Sequence, residues 1–208
     1  VSASTGAGLA VSSCATFVAR RVVVDGAGAT AGIDVNNSAS AQVLQSRAQN
    51  TAAAVPGVYV RGTSTGVLLD NVVATGSGAA ASGAAGIKLD ATGATVRHSQ
   101  SYANDGDGGH GIHVANGGDT ASIFDNLLWN NGVGGATGAS GLYVEFTSGP
   151  KTVTAIASNT LWANAGREGG IRFATSAGVA VTVSDFRRNI IGGERDANDA
   201  GVIWPPAL

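Results

Sequence analysis

A tetrad of glycine, apolar residue, any residue, apolar residue recurs from one end of the chain to the other, and no other feature restricts the fold as strongly. It reads GLAV from Gly8, GIDV from Gly32, GVYV from Gly57 and GIKL from Gly86, then GIHV from Gly111, GLYV from Gly141, GIRF from Gly170 and GVIW from Gly201. Successive glycines lie 24, 25, 29, 25, 30, 29 and 31 residues apart. A period of this size marks stacked supersecondary units that share one core. Two further matches, at Gly66 and Gly178, fall off this register and are assigned to the second strand of their coils.

Each repeat has a second half. A polar residue followed by mostly apolar ones comes after the glycine: Asn71-Val72-Val73, Asn126-Leu127-Leu128, Asn159-Thr160-Leu161 and Asn189-Ile190-Ile191, with Ser46 and Ser99 in the equivalent place. Upstream of it an apolar position is expected to face inward: Val18, Val43, Leu68, Val96, Ile123, Ile156 and Phe186. Each coil therefore reads as three short strands joined by turns. Such strands cannot bury an apolar face alone; stacked about 4.8 Å apart they share a core and pair their backbones between coils. The tetrad glycine is expected to serve a tight corner needing positive φ. Asparagine at the second corner is expected to hydrogen-bond its counterpart in the next coil.

This pattern resembles the right-handed parallel β-helix repeat of pectate-lyase-like proteins over essentially the whole chain. The strings NLLWNN and NTLWAN also resemble segments of bacterial surface β-helix proteins. The expected fold is all-β: a single-stranded right-handed parallel β-helix (a solenoid) over residues 1–208, with about seven coils of three short strands. The resemblance implies an extracellular or cell-surface location, and places an active site, where one exists, in clefts on the first sheet. Lyases, hydrolases, epimerases, tailspikes and adhesins all use the fold, so function has to come from the site.

Composition narrows the partners. The net charge is −2, without the basic excess of a general nucleic-acid binder. No apolar run reaches the roughly 18 residues of a membrane span. Cys14 is the single cysteine, which precludes an internal disulfide. The chain starts at Val1 and contains no Met, so a fragment or module of a larger protein is expected. No capping segment is legible, and self-association through uncapped ends is a further expectation.

Strand alternation supplies the candidate site. In each tetrad the two apolar residues point inward and the middle one outward. The outward column reads Ala10, Asp34, Tyr59, Lys88, His113, Tyr143, Arg172 and Ile203; the next, two residues on, reads Ser12, Asn36, Arg61, Asp90, Ala115, Glu145, Ala174 and Pro205. Lys88, His113, Tyr143 and Arg172 thus form one ladder and are the candidate catalytic residues. They combine a base titrating near neutrality, a phenol donor and cations for a carboxylate, as uronate chemistry requires. Asp34, Tyr59, Asp90 and Glu145 are the substrate-binding candidates beside them. The competing reading is a solvated sheet face with paired charges.

A second outward column, in the third strand, holds Tyr102, Trp129 and Trp162, whose flat rings suit stacking on sugars or docking on protein. In the loop before His113, Asp105 and Asp107 could seat Ca²⁺, although two carboxylates do not fill six to eight coordination places. His98, His110 and His113 lack the ligand frame of a zinc site. Two functions stay open. One is a surface module presenting side-chain ladders to a polysaccharide, surface glycan or protein partner. The alternative is a lyase or epimerase acting on acidic polysaccharide.

Overall fold

The computed structural model describes residues 5–28, 30–52, 54–79, 82–133, 139–165, 170–193 and 201–203. Within them the chain is a β-solenoid without helices, built from three parallel sheets of eight, seven and seven strands. The first sheet runs from Leu9–Ser12 to Val202–Ile203, the second from Val18–Arg20 to Val181–Arg187, and the third from Val23–Asp25 to Ile190–Gly192. Each strand pairs with its counterparts in the coils before and after, so the coils add along one axis. One antiparallel pair, Gly78–Ala79 with Ser82–Gly83, stands apart in the loop before Gly86.

The first-sheet register follows the tetrad. Ile33, Val58, Ile87, Ile112, Leu142 and Ile171 are partners in sequence and fully buried. Val35, Val60, Leu89, Val114, Val144 and Phe173 form the next buried column. Burial of these side chains is the main stabilising term, since a strand of three to five residues gains little from its own backbone.

The second sheet corrects three inward positions: Val18 and Leu68 do not face the core, and Phe186, although in register with buried Ile156, is 39% exposed in the last second-sheet strand. Ala19 pairs with Val43, which pairs with Leu69 and then Val96. Ala19 and Leu69 are buried, whereas Val18 is 58% exposed and Leu68 half-buried. Both expectations slipped by one residue because the neighbour is also apolar, which leaves a three-residue strand without a decisive phase.

The glycine expectation is corrected too. None of the tetrad glycines within the described residues adopts positive φ. Instead the backbone of the next coil comes too close for a side chain: a Cβ on Gly32 or Gly111 would lie 2.5 Å from the carbonyl oxygen of Gly57 or Gly141. At the bend between second and third sheets, positive φ falls on a non-glycine residue in every coil: Arg21, Gln45, Asn71, His98, Asp125, Ser158 and Arg188, all at 49–56°. Asn71 therefore occupies the bend, and the corner position in its coil belongs to buried Val72.

Two amide ladders run inside the corners. Asn126 Nδ2 donates to Asn159 Oδ1 at 3.0 Å, and Asn159 Nδ2 to Asn189 Oδ1 at 3.0 Å. Each also donates to a backbone carbonyl, Val96 for Asn126, Ile123 for Asn159 and Ile156 for Asn189. Ser99 continues the column toward the N-terminus by donating its N–H to Asn126 Oδ1. A second ladder of Asn104, Asn131 and Asn164 lies after the third strand, with amide contacts of 2.7 and 2.9 Å. Its members are fully buried, and sequence reasoning did not single it out. The signal was there: each lies five residues after Ser99, Asn126 or Asn159.

Candidate functional site

The outward first-sheet column forms as the alternation requires. Lys88 pairs with His113, His113 with Tyr143 and Tyr143 with Arg172. Pro205 lies outside the described residues.

The face splits into two parts. Toward the N-terminal coils its side chains saturate one another. Asp34, buried, accepts from Arg61 Nε and Nη2 at 2.9 Å each, a bidentate pair. The Tyr59 ring has Arg61 5.5 Å and Lys88 5.3 Å from its centroid. Its hydroxyl lies 3.4 Å from Asp90, and Asp90 also accepts the Gly117 N–H at 2.7 Å. Burial pushes the Tyr59 phenol up, and the Asp90 carboxylate adds to that. Asp34, Tyr59 and Asp90 are thus already engaged with protein groups.

Toward the C-terminal coils the face opens into a cleft of about 270 Å³, lined by Lys88, His110, His113, Tyr143 and Glu145, with Pro56, Gly108 and three alanines. His113 Nε2 lies 3.1 Å from Glu145 Oε2. That hydrogen bond holds the Glu145 carboxyl below the usual carboxylate range against the upward pull of its partial burial. The rings of His113 and Tyr143 are 5.0 Å apart, and the Arg172 guanidinium carbon is 5.7 Å from the Tyr143 centroid. Burial, reinforced by Glu145, raises the Tyr143 phenol above its ordinary value. The structure therefore brings Lys88, His113, Tyr143 and Glu145 into one cleft, with Arg172 against its tyrosine wall. It also adds His110, which lacks the outward phase of the ladder because it precedes the tetrad.

Family comparison agrees with this coiling: residues 1–153 match the model described as "Right handed beta helix region". The chain belongs to that family. The solenoid continues in register beyond the matched segment, through Thr160–Trp162 and Ile171–Thr175 to Ile190–Gly192. No curated protein matches the chain.

The third-sheet column of this β-helix holds Tyr102, Trp129 and Trp162 in consecutive coils. Tyr102 and Trp129 stack at 4.4 Å with 12° between their planes, so each covers a face of the other. Trp162 differs: 55% exposed, it lies over the Gly192–Gly193 backbone, where a Cβ would meet its ring at 2.8 Å. On the remaining loop Asp105 and Asp107 are both exposed. Among the described residues no cluster of three or more His, Cys, Asp or Glu suits a metal. The two carboxylates do not fit a calcium seat by themselves. Nor, among those residues, is any helix long and apolar enough to cross a membrane.

Proposed function

We propose that this chain is an extracellular β-helix module that presents two side-chain faces, the first-sheet cleft and the third-sheet aromatic column, to a glycan. The observation that carries this reading is Trp162. An indole more than half exposed, braced on two glycines of a rigid sheet, offers flat apolar area at little cost in side-chain freedom. The sugar contact of the aromatic column is accordingly assigned to Trp162, since Tyr102 and Trp129 spend a face on each other. The test is retention of the purified protein on a panel of immobilised neutral and acidic polysaccharides, comparing wild type with Trp162→Ala. Expected is loss of about tenfold or more in affinity with an unchanged melting temperature. Equal retention of wild type and variant, or none by wild type across the panel, refutes the reading.

One observation favours catalysis as a second reading. His113, oriented by Glu145 at 3.1 Å beside the Tyr143 phenol, is a base–donor arrangement suited to proton abstraction from a uronate and protonation of a leaving oxygen. A lyase or epimerase of the pectate-lyase-like kind would use Lys88 and Arg172 to neutralise the substrate carboxylate. The same panel in solution separates the readings. Unsaturated or epimerised product, abolished by the double variant His113→Ala, Tyr143→Phe, establishes catalysis; retention without product leaves the module.

A further inference from the structure

His110 is the group in the cleft that the ladder pattern does not explain. It is 4% exposed, yet it lines the cleft. Its Nδ1 accepts the Ser140 N–H at 3.0 Å, which leaves the proton of the neutral ring on Nε2. The Tyr143 ring stacks on it at 4.3 Å and 14°, and His113 meets it edge-on at 5.4 Å. The imidazole is therefore locked in one tautomer and one orientation. Burial, and after it the charges of His113, Arg172 and Lys88, hold the ring neutral, its pKa well below the ordinary histidine value. Glu145, the carboxylate lining this cleft, is already engaged by His113.

We propose that His110 Nε2–H and Lys88 Nζ form a subsite for an oxyanion carried by a sugar, a carboxylate or a sulfate ester. The inference rests on the glycan-presenting reading only for the carrier of the anion. A fixed neutral donor beside a flexible cation gives an oxyanion one directional hydrogen bond and one adaptable charge contact. A cationic ligand would meet Lys88 and Arg172 instead. An uncharged hydroxyl would satisfy the imidazole and gain nothing from the lysine. The cleft, at about 270 Å³, falls just short of the usual range for drug-sized ligands, so it suits one sugar-sized group.

The test is side-chain NMR of the protein labelled with ¹⁵N-histidine, titrated with glucuronate, glucose 6-sulfate and glucose to about 100 mM. The expected result is a shift of His110 Nε2–H with glucuronate, with the sulfate, or with both, and none with glucose; the responsive probe names the anion. Lys88→Gln, at a half-buried surface position, should weaken the response about tenfold. Three results overturn the proposal: a shift with glucose equal to that with the anions, no shift with any probe, or an undiminished response in Lys88→Gln. Retention on polysaccharide through Trp162, on a different sheet, is unaffected by any of them, so each reading fails separately.

Discussion

The Asn126–Asn159–Asn189 column and the Lys88–His113–Tyr143–Arg172 column obey the same stacking rule, one residue per coil in register, yet they do opposite things. In the first, every rung is the same residue, and a primary amide is both donor and acceptor. Each asparagine meets the next at 3.0 Å and a backbone carbonyl at 2.9–3.0 Å, which leaves little for a ligand. In the second, unlike side chains stand on one another, and their polar ends reach sideways to Glu145, to Tyr59 or into a cleft. Repetition of one self-complementary residue makes structure; variation at a fixed position makes surface chemistry. Asp34 and Arg61 show the intermediate case, where unlike residues of two adjacent columns pair and close the face.

The contrast can be broken from either side. The largest effect is expected one residue from the functional column, at Ile112, which is fully buried directly before His113. Ile112→Ala should lower unfolding free energy by about 4 kcal/mol in urea titration, through lost burial and a cavity. A loss below about 1 kcal/mol would mean that the core relaxes around the site.

Asn159→Ala comes next, at about 3 kcal/mol. It strips the buried Asn126 N–H and amide of their acceptor and the Ile123 carbonyl of a donor. Asn159→Asp, which keeps the acceptor but not the donor, should recover part of that loss; no recovery would show that shape rather than hydrogen bonding holds the ladder.

A third effect is a slope against pH. Because His110 stays neutral in the fold while the unfolded chain takes up a proton below about 6.5, stability is full above that value and falls as pH drops through it. The slope is about 1.4 kcal/mol per pH unit while the buried ring resists protonation. His110→Asn should flatten the melting temperature between pH 6.5 and about 5. Glu145 contributes in the same direction but only at lower pH, because its depressed carboxyl adds stability above its unfolded value of about 4.5 and loses it below.

The smallest effect belongs to the functional column itself. His113→Ala removes one partly exposed pair with Glu145 and should cost about 1 kcal/mol or less. A larger loss would move His113 from the surface column to the structural one.

The first-sheet register was legible because six strands repeat an unambiguous inward–outward–inward phase after a glycine. Where two apolar residues stand together, as at Val18-Ala19 and Leu68-Leu69, the phase was not legible, and only stacking against the neighbouring coils decides it. At Asn71-Val72 the polar letter points to the corner, but the bend needs a residue at φ 55° and the corner takes the valine. The Asn104–Asn131–Asn164 ladder hid among glycine-rich turns. His110 stands just before a tetrad glycine, where other coils carry Ala31, Pro56, Ala85 and Ser140, so its place repeats but its chemistry does not: its role comes from Ser140 and Tyr143, 30 and 33 residues away.

Those separations set how the rod can assemble. The side-chain hydrogen bonds by which the two amide ladders link one coil to another span 27 to 36 residues, because each coil touches only the coils beside it. Every added turn closes a loop of about the same length, at about the same entropic cost, however many turns precede it. Asn104, Asn126, Asn131 and Asn159 each donate one amide N–H to the asparagine of the coil that follows, while Asn126, Asn159, Asn164 and Asn189 also donate to a carbonyl of the coil before, so the ladders tie a turn to both neighbours. What each turn contributes to stability is therefore set by itself and its two neighbours, not by the number of turns in the rod.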